Sequence, residues 1–400
     1  MPPPRTTERL AELAVLVGAN LQRGQILSVA AELGHEPLVR AIAETAYRHG
    51  ARFVEASYFD PWVKRARIEH AAGDTLDFVP SWYGERALAR GEQRCASITL
   101  TGPAAPGLLD DLDPARAGRD LLPRVRENLR VINDRTVNWT IVPYPTPGWA
   151  SLVHPQLPTD EALERLWEEV VHVCRLDEDD PVAAWKERFA ATAAAAERLN
   201  ERRFDAIHFE GPGTDLTVGL LPTSHWGNAG FTTVDGVPHL ANVPSEEVFT
   251  SPDPTRTEGT VRSTKPLTFA DGSVVRGLTV RFEGGRAVAI EADEGAVNLR
   301  TRTERDEGGA RLGEVALVDR EGRIGRLDTV FSETLLDENA ASHIALGSAY
   351  EFAAGEEDRG RLNQSAIHID FMIGGDEVDV DGITQTGERV PVLRGGAWQI

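Results

Sequence analysis

The sequence predicts an α/β N-terminal domain with a mainly parallel sheet, followed by a β-rich α+β C-terminal domain. Three observations carry this: a strand–helix–strand unit near the N-terminus, helical stripes that persist to about residue 202, and a shift beyond residue 203 to short alternating runs punctuated by Gly, Asp and Pro. Strand–helix–strand units favour parallel strands with covering helices.

The elements follow in order. Leu10, Leu13, Ala14, Val17 and Leu21 recur at helical spacing and predict a helix over 8–21. Residues 26–30 are an apolar run that reads as a buried strand. A helix over 37–49 has Pro37 in its first turn, Leu38, Ile42 and Ala46 on one face, and Gly50 just past its end. Residues 52–56 form the next strand, and a helix at 122–133 and a strand at 137–142 continue the pattern. Leu163, Leu166, Trp167, Val170 and Cys174 stripe a further helix. Asp180 as cap and Pro181 open another, which runs through Trp185, Phe189 and the alanines at 193–196. Beyond 203, turns at Asp271-Gly272 and Gly284-Gly285 separate strand-like pieces at 274–275, 278–282 and 287–291. One helix is expected at 338–352. The boundary falls at 203–211, which divides the chain into domains 1–205 and 206–400. No internal repeat is visible.

Four hundred residues are enough for about two domains. A formal net charge of −21 excludes nucleic acid and anionic membrane surfaces as partners, since both require basic patches. The same charge attracts cations. Cys95 and Cys174 lack metal-type spacing, and Cys174 continues an apolar stripe, so a reduced core thiol is expected. The polar N-terminus and the lack of any apolar run near ~20 residues predict a cytoplasmic chain.

Chemistry concentrates in the last third. Four segments set carboxylates, two of them with a histidine, among apolar neighbours: 244–250 with Glu246 and Glu247, 312–317 with Glu314, 336–343 with Asp337, Glu338 and His343, and 367–372 with His368 and Asp370. A buried charge is costly unless it is paired or bound to a metal. Drawn together, these groups would hold two divalent cations, an inventory that suits Zn²⁺, Co²⁺ or Mn²⁺ and hydrolysis.

Each segment also has a bland reading. His368 and Asp370 share one face of a strand, which serves a metal or a simple hydrogen bond. On one helix, Glu338 and His343 would point about 140° apart. They share a site only if Glu338 lies at or before the helix start, where Asp337, Glu338 and Asn339 are suitable residues. Tyr350 would then lie on the same helical face as His343. Alternation places Glu246 and Glu247 on opposite faces and does not choose between them. Glu314 heads an apolar strand, where a glutamate commonly marks the solvent end.

Other signals are weaker. Residues 377–388 match a calcium-loop template except at the first position, but their flanks are strand-like, so a turn is the better reading. Gly211-Pro212-Gly213-Thr214 lacks a P-loop ending and reads as a turn. There is neither a His-Glu-x-x-His helix nor a Gly-x-Ser-x-Gly elbow.

The ordered motifs 208–217 (His-Phe-Glu-Gly-Pro-Gly-Thr-Asp-Leu-Thr), 246–250 (Glu-Glu-Val-Phe-Thr), 313–316 (Gly-Glu-Val-Ala), 336–340 with His343, and 368–374 resemble the thermophilic aminopeptidase family, which includes aminopeptidases T, S and PepS. The likeness is dense in the C-terminal half and looser before it, around Gly24-Gln25 and Tyr144-Pro145-Thr146. It implies a homodimeric, metal-dependent exopeptidase acting on peptides with a free N-terminus. It also implies two divalent metal ions per chain, held by Glu247, Glu314, Glu338, His343, His368 and Asp370. Glu247 is selected over Glu246 because relatives keep the glutamate directly before Val-Phe. Glu314 and Tyr350 are the implied catalytic residues. The alternatives are a metal amidohydrolase acting on small acyl amides and a non-catalytic metal-binding protein.

Overall fold

The computed structural model describes residues 4–120, 122–123, 125–269 and 273–400. Strands Ile26–Glu32, Phe53–Phe59, Ala96–Thr101 and Asn138–Pro143 form a parallel sheet. Ile26–Glu32 lies between Phe53–Phe59 and Ala96–Thr101, and Asn138–Pro143 forms the far edge. The helix Glu36–Arg48 buries Leu38, Ile42 and Ala46, as the spacing predicts. The first helix is Pro4–Leu13, continued by a π-helical turn at Ala14–Gly18. Helix Arg126–Asn133 is shorter than the predicted 122–133. Thr159–Val173 and Pro181–Arg202 match their stripes, and the Asp180 carboxylate accepts from Ala183 N at 3.0 Å. Helix Pro61–His70 had no sequence signature, because it exposes Trp62 and Val63 and lacks a clean apolar stripe. Cys95 and Cys174 are free and buried. No described helix is long and apolar enough to cross a membrane.

The C-terminal region holds two antiparallel sheets. The larger has eight strands, with Ala206–Gly211 and Thr214–Leu220 at its centre, joined by the turn expected at Pro212-Gly213. Asp379–Ile383 and Arg389–Arg394 are paired strands of the same sheet, so no calcium loop forms there. The smaller sheet runs His368–Met372, His343–Gly347, Leu312–Val318, Glu247–Thr250. Val248, Val315, Leu317, Ile344, Leu346, Ile369 and Phe371 from this sheet share one core with Phe209, Leu216, Val218 and Val280 of the larger one. The Asp271-Gly272 turn lies outside the described residues.

The helix predicted at 338–352 does not form. A short helix, Thr334–Glu338, ends where it was expected to begin, and His343–Gly347 is a buried strand. The run His-Ile-Ala-Leu-Gly has no decisive helical stripe, and pairing with strands on both sides overrides its local propensity. Tyr350 is therefore in extended backbone past the strand, not on a helical face. Asp337 is no helix-start residue either. Its buried carboxylate accepts from Phe331 N at 2.9 Å and Glu333 N at 3.2 Å, and burial lifts its pKa to about 6.

The two halves interlock. Val243, Ile324, Phe331 and Leu336 pack into the core of the N-terminal half, across the 203–211 boundary. Glu333 sits at this junction, where Thr101 Oγ1 donates to its Oε1 while its Oε2 is buried without a partner. Burial pushes its pKa up to about 7. The folded protein thus keeps a proton that the unfolded chain has released. Stability falls as pH rises from the ordinary carboxylate range to about 7, by roughly 2–3 kcal/mol. Glu333→Gln removes the ionisation but keeps an acceptor for Thr101. The melting temperature of the variant is expected to exceed that of the parent by a few degrees at pH 8 and to match it near pH 5. Equal differences at both pH values in calorimetry would exclude this.

Candidate metal centre

The register of the smaller sheet assembles the site. Glu314 lies opposite Ala345, and Ala345 opposite Asp370. His343 lies opposite Ala316 and Met372, His368 opposite Gly347, and Glu247 opposite Val318. Residues paired across strands, and residues two apart along them, share a face. Glu247, Glu314, His343, His368 and Asp370 therefore project from one face, while Val315, Leu317, Ile344 and Ile369 fill the other. Ala316, Ala345 and Gly347 between them leave room for the larger groups. The strands also approach closely at Gly313, where a Cβ would lie 2.4 Å from the carbonyl oxygens of Gly347 and Ser348.

The glutamate pair divides. Glu246 turns away, where it meets Arg175 at 3.2 Å and Arg188. Its backbone N–H donates to Asn339 Oδ1 at 2.6 Å, and Asn339 Nδ2 donates to Leu335 O at 2.8 Å. This clamp sets Glu247 facing the other way. Glu314 is buried inside its strand, not at a solvent end.

The histidines decide what the site can hold. His343 Nδ1 lies 3.0 Å from Glu338 O and 3.3 Å from Ala341 O, and His368 Nδ1 lies 2.7 Å from Ser348 O. A carbonyl oxygen only accepts, so each Nδ1 carries its proton. Each Nε2 then faces acceptors. His343 Nε2 is 3.2 Å from Glu247 Oε2 and 3.7 Å from Glu314 Oε1. His368 Nε2 is 3.2 Å from Glu314 Oε2 and 3.3 Å from Asp370 Oδ1. A ring lone pair facing carboxylates is repulsive unless a cation lies between them, either a proton or a metal ion. Glu247 Oε2 is also buried with no aligned hydrogen bond. Main-chain acceptors that fix the tautomer of a ligating histidine are the usual support of a metal site. The residues fit a divalent cation.

The electrostatics agree. Burial opposes charging of both rings, but Glu247 and Glu314 outweigh it at His343, as do Asp370 and Glu314 at His368, and both pKa values rise well above the ordinary imidazole value. Burial acts against ionised Glu314 too, yet the His343 and His368 imidazoles beside it hold its pKa below the usual range. Burial raises Glu247, and burial with the Asp370 and Glu247 charges raises Glu338 strongly. Burial and the same carboxylates keep the Tyr350 hydroxyl protonated.

Two triplets can each hold an ion: Glu247, Glu314 and His343, and Glu314, His368 and Asp370, each with donor atoms within 4.8 Å of one another. Glu314 belongs to both. Glu338 lies outside both triplets but lines the same cavity, as does Tyr350. The Tyr350 ring centroid is 5.2 Å from that of His368. The rest of the wall is Trp139, Ala229, Phe231, Ala241, Asn242 and Phe249. Sequence reading missed all of these as site residues, although Phe249 lies within a quoted motif. Trp139 comes from the edge strand of the N-terminal sheet and stacks on Phe231 at 6.3 Å. No local pattern links them.

A buried carboxylate–imidazole cluster on a β-sheet, open to a cavity at the junction of two regions, is the kind of site that metal-dependent hydrolases use. The thermophilic metalloprotease family M29 matches residues 4–398, and the chain belongs to it. It is therefore a peptide-bond hydrolase of a family that works with divalent metal. It is 43% identical over 401 residues to aminopeptidase T of Thermus aquaticus, covering 98% of each chain. Aminopeptidase 2 of Geobacillus stearothermophilus is 38% identical over 403 residues, covering 98% of this chain and 97% of its own. The solved structure of wild-type AmpT from Thermus thermophilus superposes with a TM-score of 0.87 at 41% identity, covering 99% of both chains. The expected α/β and β-rich arrangement agrees with that structure.

Proposed function

We propose that the chain is an aminopeptidase that removes N-terminal residues from peptides at a pair of divalent cations. The observation that carries this reading is Glu314, shared by two ligand triplets on one face of one sheet. Four carboxylates (Glu247, Glu314, Glu338 and Asp370) carry four negative charges, which two divalent cations balance while both imidazoles stay neutral. Glu247 and His343 would hold one ion, His368 and Asp370 the other, with Glu314 between them and Glu338 at the rim. Zn²⁺, Co²⁺ and Mn²⁺ all suit this donor set. When bound, such ions polarise a carbonyl and bring the pKa of water toward about 7.

The residues of the chain do the rest. Glu314 would be a donor common to both ions or would carry a proton from water to the leaving amine, and either role needs its negative charge. Tyr350, kept protonated, donates to the oxyanion that develops on the scissile carbonyl. Trp139, Phe231 and Phe249 offer an apolar wall to the first side chain. The N-terminal α/β part of 1–205 contributes Trp139, and the catalytic part of 206–400 contributes the ligands. The reading includes a homodimer. Its support is the edge strand Phe53–Phe59, which exposes Phe53 and Tyr58, side chains that a second copy could cover.

The test is hydrolysis of leucine p-nitroanilide beside its N-acetylated analogue. The free amine is expected to be cleaved at least ~100-fold faster, since acylation takes away the charge and the lone pair of the amine that the acidic site would bind. Comparable cleavage of both would mark an amidohydrolase, and cleavage of neither, in metal-loaded protein, a binding protein.

A further inference from the structure

Asn242 lies in the cavity beside Glu247, Glu338, His343 and Asp370. Its backbone extends the N-terminal parallel sheet: Ile141 N donates to Ala241 O at 2.8 Å, and Val243 N donates to Ile141 O at 3.0 Å. Bonds on both sides lock the position of residue 242. Its Nδ2 donates to Glu338 Oε1 at 3.4 Å. With Glu338 ionised, as bound cations would hold it, that contact sets the amide the right way round, because a flipped amide would bring two acceptors together. Its Oδ1 is then left buried with no hydrogen-bond partner. An unsatisfied buried acceptor destabilises the fold, so the arrangement makes sense if a partner arrives from outside.

We propose that Asn242 is the residue that reads the free α-amine of the substrate, accepting an amine N–H at Oδ1; this rests on the aminopeptidase reading above. The other polar groups on the wall are carboxylates and imidazoles suited to cations, and a hydroxyl that donates. The Asn242 oxygen is a neutral acceptor that adds no charge to an already acidic site. It does not protonate in the working pH range, and it competes weakly for a divalent ion. A free amine presents N–H groups to it. An acylated nitrogen has one N–H, carries no charge, and brings an acyl group that the cavity must also accommodate.

Asn242 could instead serve only to orient Glu338, and two variants separate these roles. Asn242→Ala removes both the donor to Glu338 and the acceptor for the amine. Asn242→Asp removes the donor but keeps an acceptor. Binding of L-leucine and of N-acetyl-L-leucine to the metal-loaded protein is measured by calorimetry, with metal per chain by mass spectrometry and fold by circular dichroism. Asn242→Ala is expected to weaken L-leucine by ~10–100-fold, the worth of a hydrogen bond involving a polar or charged partner. N-acetyl-L-leucine should change by less than about twofold. The Michaelis constant for leucine p-nitroanilide should rise in parallel, with the loss carried mainly by KM. Asn242→Asp should keep the preference for the free amine, and metal content should hold in both variants.

An Asn242→Ala protein that retains the parent's preference overturns the inference. So does a loss of metal from both variants with both ligands weakened alike, which assigns Asn242 to Glu338 alone. If the parent protein cleaves acetylated and free substrates equally, the aminopeptidase reading fails and this inference fails with it. If the parent prefers the free amine and the alanine variant does too, only this inference fails.

Discussion

Glu314→Gln is expected to lower kcat by ~10³-fold or more while leaving the fold intact, the scale of losing a group that both holds charge and moves protons. The argument starts from geometry. Glu314 faces His343 through one oxygen and His368 through the other, at 3.7 and 3.2 Å. It is the member common to both ligand triplets. A glutamine fills the same volume beside Ala345 and Ala316, so the sheet has no reason to change. Its amide, however, has one acceptor oxygen and no charge. One half of the site loses its anionic donor, and the amine end points two N–H groups at a place meant for a cation. Metal per chain should fall below that of the parent, and far-ultraviolet circular dichroism should be unchanged. Wild-type-like turnover in a metal-loaded sample removes Glu314 from the mechanism.

Much of this site was legible in the sequence, for reasons that differ between residues. His368 and Asp370 show their common face directly, because a strand repeats every two residues. Glu314 could be seen as unusual only because a charge sat in a run of Val, Ala and Leu. The helix expected over 338–352 does not exist, and it spoke against a shared site for His343 and Glu338, which only the family resemblance supplied. His343 still reaches the site, because the strand that replaces the helix pairs with both neighbours that carry ligands. The choice of Glu247 over Glu246 was not legible from alternation. It depends on Arg175 and Arg188, 71 and 58 residues upstream, which draw Glu246 away. Asn242 and Trp139 gave no signal, since they meet the ligands only through docking of residues 241–243 on the edge of another sheet. Sheet register brings distant residues together, and no local pattern encodes it.

Removal of metal is expected to abolish turnover, to lower the melting temperature, and to do the second more strongly as pH rises. Addition of Zn²⁺, Co²⁺ or Mn²⁺ should restore both properties. The first part follows from the chemistry the ions would supply, polarising the scissile carbonyl and acidifying water. The second follows from mass action: a ligand present at 1,000 times its dissociation constant stabilises the fold by about 4 kcal/mol. The pH dependence comes from competition for the same lone pairs. Without metal, His343 and His368 are counter-charges facing the carboxylates, and their pKa values lie well above the ordinary imidazole value. A histidine with a raised pKa contributes stability that is complete below the unfolded value of about 6.5. That contribution is lost as pH rises through the folded value. Above it, neutral rings face ionised Glu247, Glu314 and Asp370 with nothing between them. With metal bound, the rings are already neutral and the ions supply the counter-charge, so this loss does not occur. The gap in melting temperature between loaded and chelated protein should therefore widen from pH 6 to pH 9. Metal loading near neutral pH should also release protons, which titration in two buffers of different ionisation enthalpy would count. A gap that stays constant with pH, together with no proton release, would mean that protons and metal do not compete for these two nitrogens, and the assignment of His343 and His368 as ligands would fall.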